Sequence, residues 1–446
     1  MTTDDGYPNV TCMNEMRSVV TRRAVRAACL GFFVDMFDVY LPITVLAPAL
    51  VYFTPAGLSG TYQATIFYLV FSATLIGRPI GALIFGYFGD SLGRRRTILV
   101  SVLGLGLATL TIAMLQGHAA WGGFSIAALI VLRLVNGIFI GGEYTAANPL
   151  AMEYSPKDKR GLYGALIHIG YPAALVCTSL LATLMRRVAS AGDADSAYAV
   201  WGWRVPFLIG SLLSAMLFLY YYRYVPESGL WRSAPKSAAP LKELFHGANL
   251  RRLAQLFIVM TGAWLTLNAT VGALSGVINA VLGVKSSSVN FGILIGSAIA
   301  AMLYPFIGLL SQRFGRRPTI VVIGLLNIVP ACAGYYALIV SGYRDPAVLV
   351  FLVAVIMVPS LAIFAVHTPY LAESFPTSIR SSGYGVSLSL PIIVPGLYPF
   401  LMLGLSVLIP YAYTPIVLLA LGGLLVSVGA FFGKETKDLD FRRQDG

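Results

Sequence analysis

Three ionisable side chains of this 446-residue chain stand where ions are costly. Asp35 and Asp38 lie in an apolar run over 24–52, and Arg133 lies in another over 122–149. A charge near the centre of hydrocarbon costs about 2.5–3.5 kcal/mol on insertion scales, so such groups are usually paired or functional. Read as helices, the runs put Asp35 about 14 Å inward from Arg26 and Arg133 about 18 Å inward from Trp121 at the opposite end. Asp35 and Asp38 are three apart and share a helix face. Arg133 therefore pairs with Asp35 or Asp38. Protonation of the carboxylate would release the guanidinium to hold an anionic or zwitterionic substrate; the alternative is a permanent structural ion pair. Arg78 and Glu143, about 22 and 33 Å along their own helices, form a second charge pair, read either as gate or proton relay or as plain structural bridge.

The elements that position these groups are membrane helices. The chain is 57% hydrophobic and 11% charged, with mean hydropathy +0.78; a soluble domain carries about 25% charged residues. Long uncharged runs rather than short alternating ones exclude a β-barrel. The spacing predicts twelve helices near 24–52, 64–88, 97–116, 122–149, 162–186, 203–225, 253–281, 290–311, 318–340, 347–372, 384–408 and 411–432. The fold expected is an all-α integral membrane protein of two six-helix pseudo-repeats: tail 1–23, first half 24–225, central loop 226–252, second half 253–432, tail 433–446. The first apolar run is too long for a signal core, so no cleavable signal is expected.

Cations set the orientation. If the N-terminus is inside, 24 of the 31 Lys and Arg residues fall on the cytoplasmic side, and Arg186, Arg187, Arg204, Lys285 and Arg344 fall outside. Both termini are then cytoplasmic and the sequon at Asn9 is not glycosylated. The net charge of +12 follows from this asymmetry and from attraction to anionic lipid, with no nucleic-acid signature.

The chain repeats. Gly86, Asp90, Gly93, Arg94 and Arg95 return 222 residues later as Gly308, Gln312, Gly315, Arg316 and Arg317. Glu153, Pro156 and Arg160 return 220 residues later as Glu373, Pro376 and Arg380. Two motifs with nearly one offset imply duplicated halves with a substrate path between them. The charged loops read as a cytoplasmic gate of Gly86, Asp90, Gly93, Arg94, Arg95, Glu153, Arg160, Glu373 and Arg380, able to bond in one state and part in another; a solvated charge run is the bland reading.

In the second half the polar candidates for substrate contact are Trp264 and Asn268, four apart on one face, with Asn327, Tyr335 and Tyr336. Pro391, Pro395 and Pro399 should break or kink the eleventh helix. Gly137 and Gly141 permit close helix packing. His168 and His367 read as packing histidines that titrate near neutral pH if exposed to solvent. Cys12, Cys29, Cys177 and Cys332 lack metal spacing. No catalytic or metal-ligand constellation and no Walker lysine is visible, so neither an enzyme, a metal, a cofactor nor ATP drive is expected.

The loop Gly86-x-x-x-Asp90-x-x-Gly93-Arg94-Arg95 resembles the hallmark of the major facilitator superfamily. Gly77-Arg78-Pro79, Asp35-x-x-Asp38, Gly141-Gly142-Glu143-Tyr144, Glu153-Tyr-Ser-Pro156 and Trp203-Arg204-Val-Pro206 are similar to the metabolite:proton symporter family within it. Gln312 departs from the acid of the second loop, Asp35 stands where relatives usually carry Glu, and Met36 where they carry an aromatic residue. The resemblance implies proton-driven uptake of a small organic acid or zwitterion by a monomer in a bacterial or archaeal inner membrane. An uncoupled facilitator or exchanger, and a transport-dead sensor on the same scaffold, remain open alternatives.

Overall fold

The computed structural model describes residues 10–55, 57–58, 60–274, 276–277, 286–341 and 345–442; Asn9, Lys285 and Arg344 lie outside them. Helices form because hydrocarbon offers no partner for backbone N–H and C=O, so each segment must satisfy its own. Among the described residues, eleven continuous spans are long and apolar enough to cross a membrane. They are α1 (Ser18–Tyr52), α2 (Thr65–Ser91), α3 (Arg94–Ala113), α4 (Phe124–Tyr154), α5 (Lys157–Val188), α6 (Tyr198–Tyr224), α7 (Gly247–Gly272), α8 (Phe291–Phe314), α9 (Arg316–Val340), α10 (Ala347–Glu373) and, last in the chain, α12 (Tyr411–Phe431). Between α10 and α12 runs α11, a pair of helices, Thr377–Gly396 and Tyr398–Leu405, bent by 42°. The prolines explain the bend: Pro395 and Pro399 flank Leu397, where the backbone leaves helical geometry. The chain is thus all-α, with no strand among the described residues, and its twelve spans form two six-helix halves.

Several boundaries lie outside the expected ranges. α7 starts at Gly247 and α5 includes the turn at Lys157–Lys159, because polar helical turns continue beyond the hydrocarbon and hydropathy trims them. The central loop holds two short helices, Gly229–Ser233 and Pro240–Leu244. The outer surface is apolar, with Phe400, Met302 and Val407 at 71%, 74% and 84% exposure, a surface suited to lipid rather than water.

Within the first half α2 packs along α4, and α3 along α4 and α6; within the second, α8 packs along α10, and α12 along α7 and α9. The halves join where α2 meets α11 and α5 meets α8, related positions of the two repeats. The α2–α4 contact is backbone on backbone. A Cβ on Gly137 would overlap the Thr74 carbonyl, and one on Gly141 would overlap that of Arg78. Gly137→Val should therefore force the helices apart, a strain of about 1–3 kcal/mol. A fall in melting temperature and in monodisperse yield of the purified protein would register it; wild-type stability would refute the packing account.

Candidate functional site

Asp38 sits on α1 at the centre of a bonded polar cluster. Its carboxylate accepts from Arg133 Nη1 at 2.7 Å, from Thr109 Oγ1 of α3 at 2.5 Å, and from Asn136 Nδ2 of α4 at 3.0 and 3.2 Å. Arg133 Nη2 also reaches the Asp38 carbonyl at 3.3 Å. All four side chains are buried. Of the two partners open to Arg133, the geometry selects Asp38. Thr109 and Asn136 complete the shell, a role the sequence did not signal because neither residue carries charge.

Asp35, one helical turn away, is different. It is fully buried, and neither carboxylate oxygen meets a hydrogen-bond donor. Its carboxyl group adjoins that of Glu143 on α4, whose Oε1 also lacks a donor. Two carboxyl groups meeting in a dry interior repel unless a proton lies between them, so this contact holds as a hydrogen bond only with a shared proton. Gly31 makes the approach feasible: a Cβ there would overlap Glu143 Oε1.

The expected Arg78–Glu143 pair is not formed. Glu143 turns into the slot that Gly31 opens on α1, and no ion pair joins Glu143 to Arg78. The spacing set Glu143 nearer the cytoplasmic end than Asp35, which it meets, and it left the direction around the helix axis open. Arg78 is buried at 4% exposure, with Nε and Nη2 lacking acceptors.

In the second half, Trp264 Nε1 donates to the Leu388 carbonyl of α11 at 2.8 Å, and Asn268 Nδ2 donates to the Trp264 carbonyl at 2.9 Å. Both side chains are half-buried. The Trp264 ring lies 5.3 Å from Phe364, which neighbours His168 of α5 and His367 of α10. The two histidine rings, one from each half, meet edge to face at 4.4 Å, and Phe32 of α1 lies 4.3 Å from His168. Each Nδ1 faces a carbonyl of its own helix, Gly164 or Phe364, and so carries the proton. The sequence gave no sign that the two histidines meet.

The arginine-rich loops form a seam between the halves, and it obeys the repeat. Asp90 accepts from the backbone N–H groups of Ser381 and Ser382 at 2.9 Å, at the first turn of the helix beginning at Arg380. Carboxylates are favoured at helix N-termini. In the related position Gln312 Oε1 accepts from Gly161 N at 3.1 Å, and its Nε2 donates to the Lys157 carbonyl. The departure at Gln312 thus keeps the bond and drops the charge.

Around these caps lie matched ion pairs. Arg94 approaches Asp90 and Glu153, each at 3.3 Å, and Arg380 from the other half reaches Glu153 at 2.8 Å. Arg316 approaches Glu373 at 3.3 Å, and Arg160 reaches Glu373 across the seam at 3.8 Å. Gly93 and Gly315 hold φ of +111° and +113°, values that favour glycine. Each turn is seated on a carboxylate that the sequence reading missed. Glu227 accepts from the N–H groups of Arg94 and Arg95, and Glu435 from those of Arg316 and Arg317. The signal was present: Glu227-Ser228 and Glu435-Thr436 each follow the last helix of a half. Arg95 itself donates to the Val225 and Tyr222 carbonyls, and Gly86 lies against Ser382, where a Cβ would crowd it.

The C-terminal segment closes over this seam. Phe441 is buried, with the guanidinium of Arg160 at 3.5 Å from its ring centre and that of Arg380 at 3.9 Å. One ring therefore touches both halves. Cation–π contacts of this kind contribute about 0.5–2 kcal/mol each. Phe441→Ala should loosen the seam by about 1–2 kcal/mol, raising maleimide labelling of a Ser382→Cys reporter about five- to thirtyfold. An unchanged labelling rate would mean that the ring merely covers the surface.

Two six-helix halves, meeting along a bonded seam and enclosing buried charged groups, define a multi-pass membrane transporter. Residues 28–302 match the Major Facilitator Superfamily, and residues 228–445 match the Sugar (and other) transporter family. The chain belongs to the major facilitator superfamily. It is 28% identical over 429 residues to the shikimate transporter of Escherichia coli (strain K12), covering 91% of this chain and 92% of that one. It is also 28% identical over 433 residues to the proline/betaine transporter of the same strain, covering 91% and 83%. Among solved structures, the proton:xylose symporter XylE bound to 6-bromo-6-deoxy-D-glucose superposes with a TM-score of 0.72 at 18% identity, covering 94% of this chain and 97% of that one. The protein is accordingly a transporter of small metabolites.

Proposed function

We propose that the protein is a proton-coupled symporter that imports a small organic acid or zwitterion by alternating access. The observation that carries this reading is the Asp35–Glu143 contact, two buried carboxyl groups whose bond needs a proton that the protein itself does not supply. Such a pair is a proton site whose occupancy responds to a charge placed beside it. Asp38 and Arg133, with their bonds mutually filled, hold the architecture around it. The Asp90, Glu153, Glu373, Arg94, Arg160 and Arg380 bridges are the gate, bonded here and parted in the alternate state. Trp264, Phe364 and the two histidines line the junction of the halves and shape the substrate's apolar part. The relatives named for shikimate and for proline and betaine support a carboxylate-bearing substrate.

The positive charge of the seam favours a cytoplasmic location for it, and hence cytoplasmic termini, in a bacterial or archaeal inner membrane. The unit of action is a monomer, since each chain holds both halves.

The test is external pH in a weakly buffered suspension of de-energised proteoliposomes as each of a panel of organic acids and betaines is added. Alkalinisation with one compound would support symport and identify its class. Radiolabelled exchange with no proton movement would sink the coupling and leave a facilitator.

A further inference from the structure

Arg78 presents an unpaired donor edge of a specific shape. Its Nε and Nη2 hydrogens lie parallel on one edge of the guanidinium plane, the arrangement that takes both oxygens of a carboxylate. Both lack an acceptor, although the side chain is only 4% exposed. Arg94 and Arg133 are buried too, but each leaves only Nε unpartnered and has acceptors on both terminal nitrogens. Buried donors without acceptors are rare and mark strain or a group that something else completes. Asp35 lies within electrostatic reach of Arg78 without forming an ion pair, and Tyr40 and Tyr144 stand in the same neighbourhood. Arg133, the guanidinium first expected to hold substrate, is occupied by Asp38 on both terminal nitrogens.

Resting on the symport reading above, we propose that the open edge of Arg78 anchors the substrate carboxylate and that its charge, with the Asp35–Glu143 pair, sets one proton per mono-anionic substrate. The charge count supports this. With one proton between them, Asp35 and Glu143 carry a single negative charge that Arg78 balances. For a mono-anionic acid, the carboxylate seated on Arg78 adds one negative charge, and a second proton on the pair cancels it. The loaded site is then as neutral as the empty one. A dicarboxylate would leave an uncancelled charge in hydrocarbon and is selected against.

Thermal stabilisation of the purified protein by shikimate, proline and glycine betaine, each beside its methyl ester, tests the anchor. Wild type should be stabilised by at least one acid and not by its ester. Arg78→Gln should bind that acid at least a hundredfold more weakly while the ester is unaffected. Arg78→Lys keeps the charge but not the two-pronged edge; it should lose at least tenfold, and it serves as the readout if the glutamine variant does not fold. Wild-type affinity in a folded variant overturns the anchor and leaves symport standing. Failure of wild type to bind any of the acids would instead overturn the carboxylate reading itself, and the anchor with it.

Discussion

Asp38→Asn is expected to destabilise the folded protein by about 3–5 kcal/mol, the usual cost of removing one partner from a buried ion pair. The substitution would leave the Arg133 guanidinium charged and buried, with Thr109 and Asn136 facing an amide that replaces one of their two acceptor oxygens with a donor. Melting of the purified protein would register the loss directly. The double variant Asp38→Asn with Arg133→Leu should recover much of it, because no uncompensated charge then remains. Wild-type stability of the single variant, coupled to loss of proton-driven uptake, would restore the first mechanism considered, in which a proton on this carboxylate releases Arg133.

Asp35→Asn should give the reverse outcome. No donor reaches the Asp35 oxygens, so the substitution removes no bond from the protein except the proton contact with Glu143. The amide supplies its own donor to Glu143, and the fold should hold. Uphill accumulation driven by a pH gradient should fall to unity, while exchange of labelled for unlabelled substrate across the same membrane continues. Retained accumulation would remove Asp35 from the proton path. A pair of variants that separate folding from coupling, three residues apart on one helix, is stronger than either alone.

Much of this was legible in the chain. The twelve spans follow from long uncharged runs, since lipid admits few other backbone solutions. The paired halves follow from two motifs at nearly one offset, and the seam residues Asp90, Arg94, Glu153, Arg160, Glu373 and Arg380 could be named because charges in short loops stand out against an apolar background. What spacing could not supply is azimuth. Asp35, Arg78, Glu143 and Arg133 could be named as buried charges, yet which of them touch depends on helix rotation and on gaps such as the one at Gly31. The meeting of His168 and His367, and the burial of Phe441 between Arg160 and Arg380, were hidden for a related reason. Each joins residues from opposite halves, and the periodicity of a single helix says nothing about its partner across a seam.

The amide at Gln312, where the related position carries Asp90, makes the two edges of the seam unequal. At the α2–α11 edge a full charge faces two N–H groups of a helix end, whereas at the α5–α8 edge an uncharged amide faces one. Charge at a helix N-terminus is worth about 0.3–1 kcal/mol beyond the bond itself. The two edges are therefore unequally held, and if the seam parts in an alternate state the α5–α8 side is expected to part first. Such an opening would run through a lopsided arrangement with one flank ajar, instead of a symmetric scissoring of both flanks together.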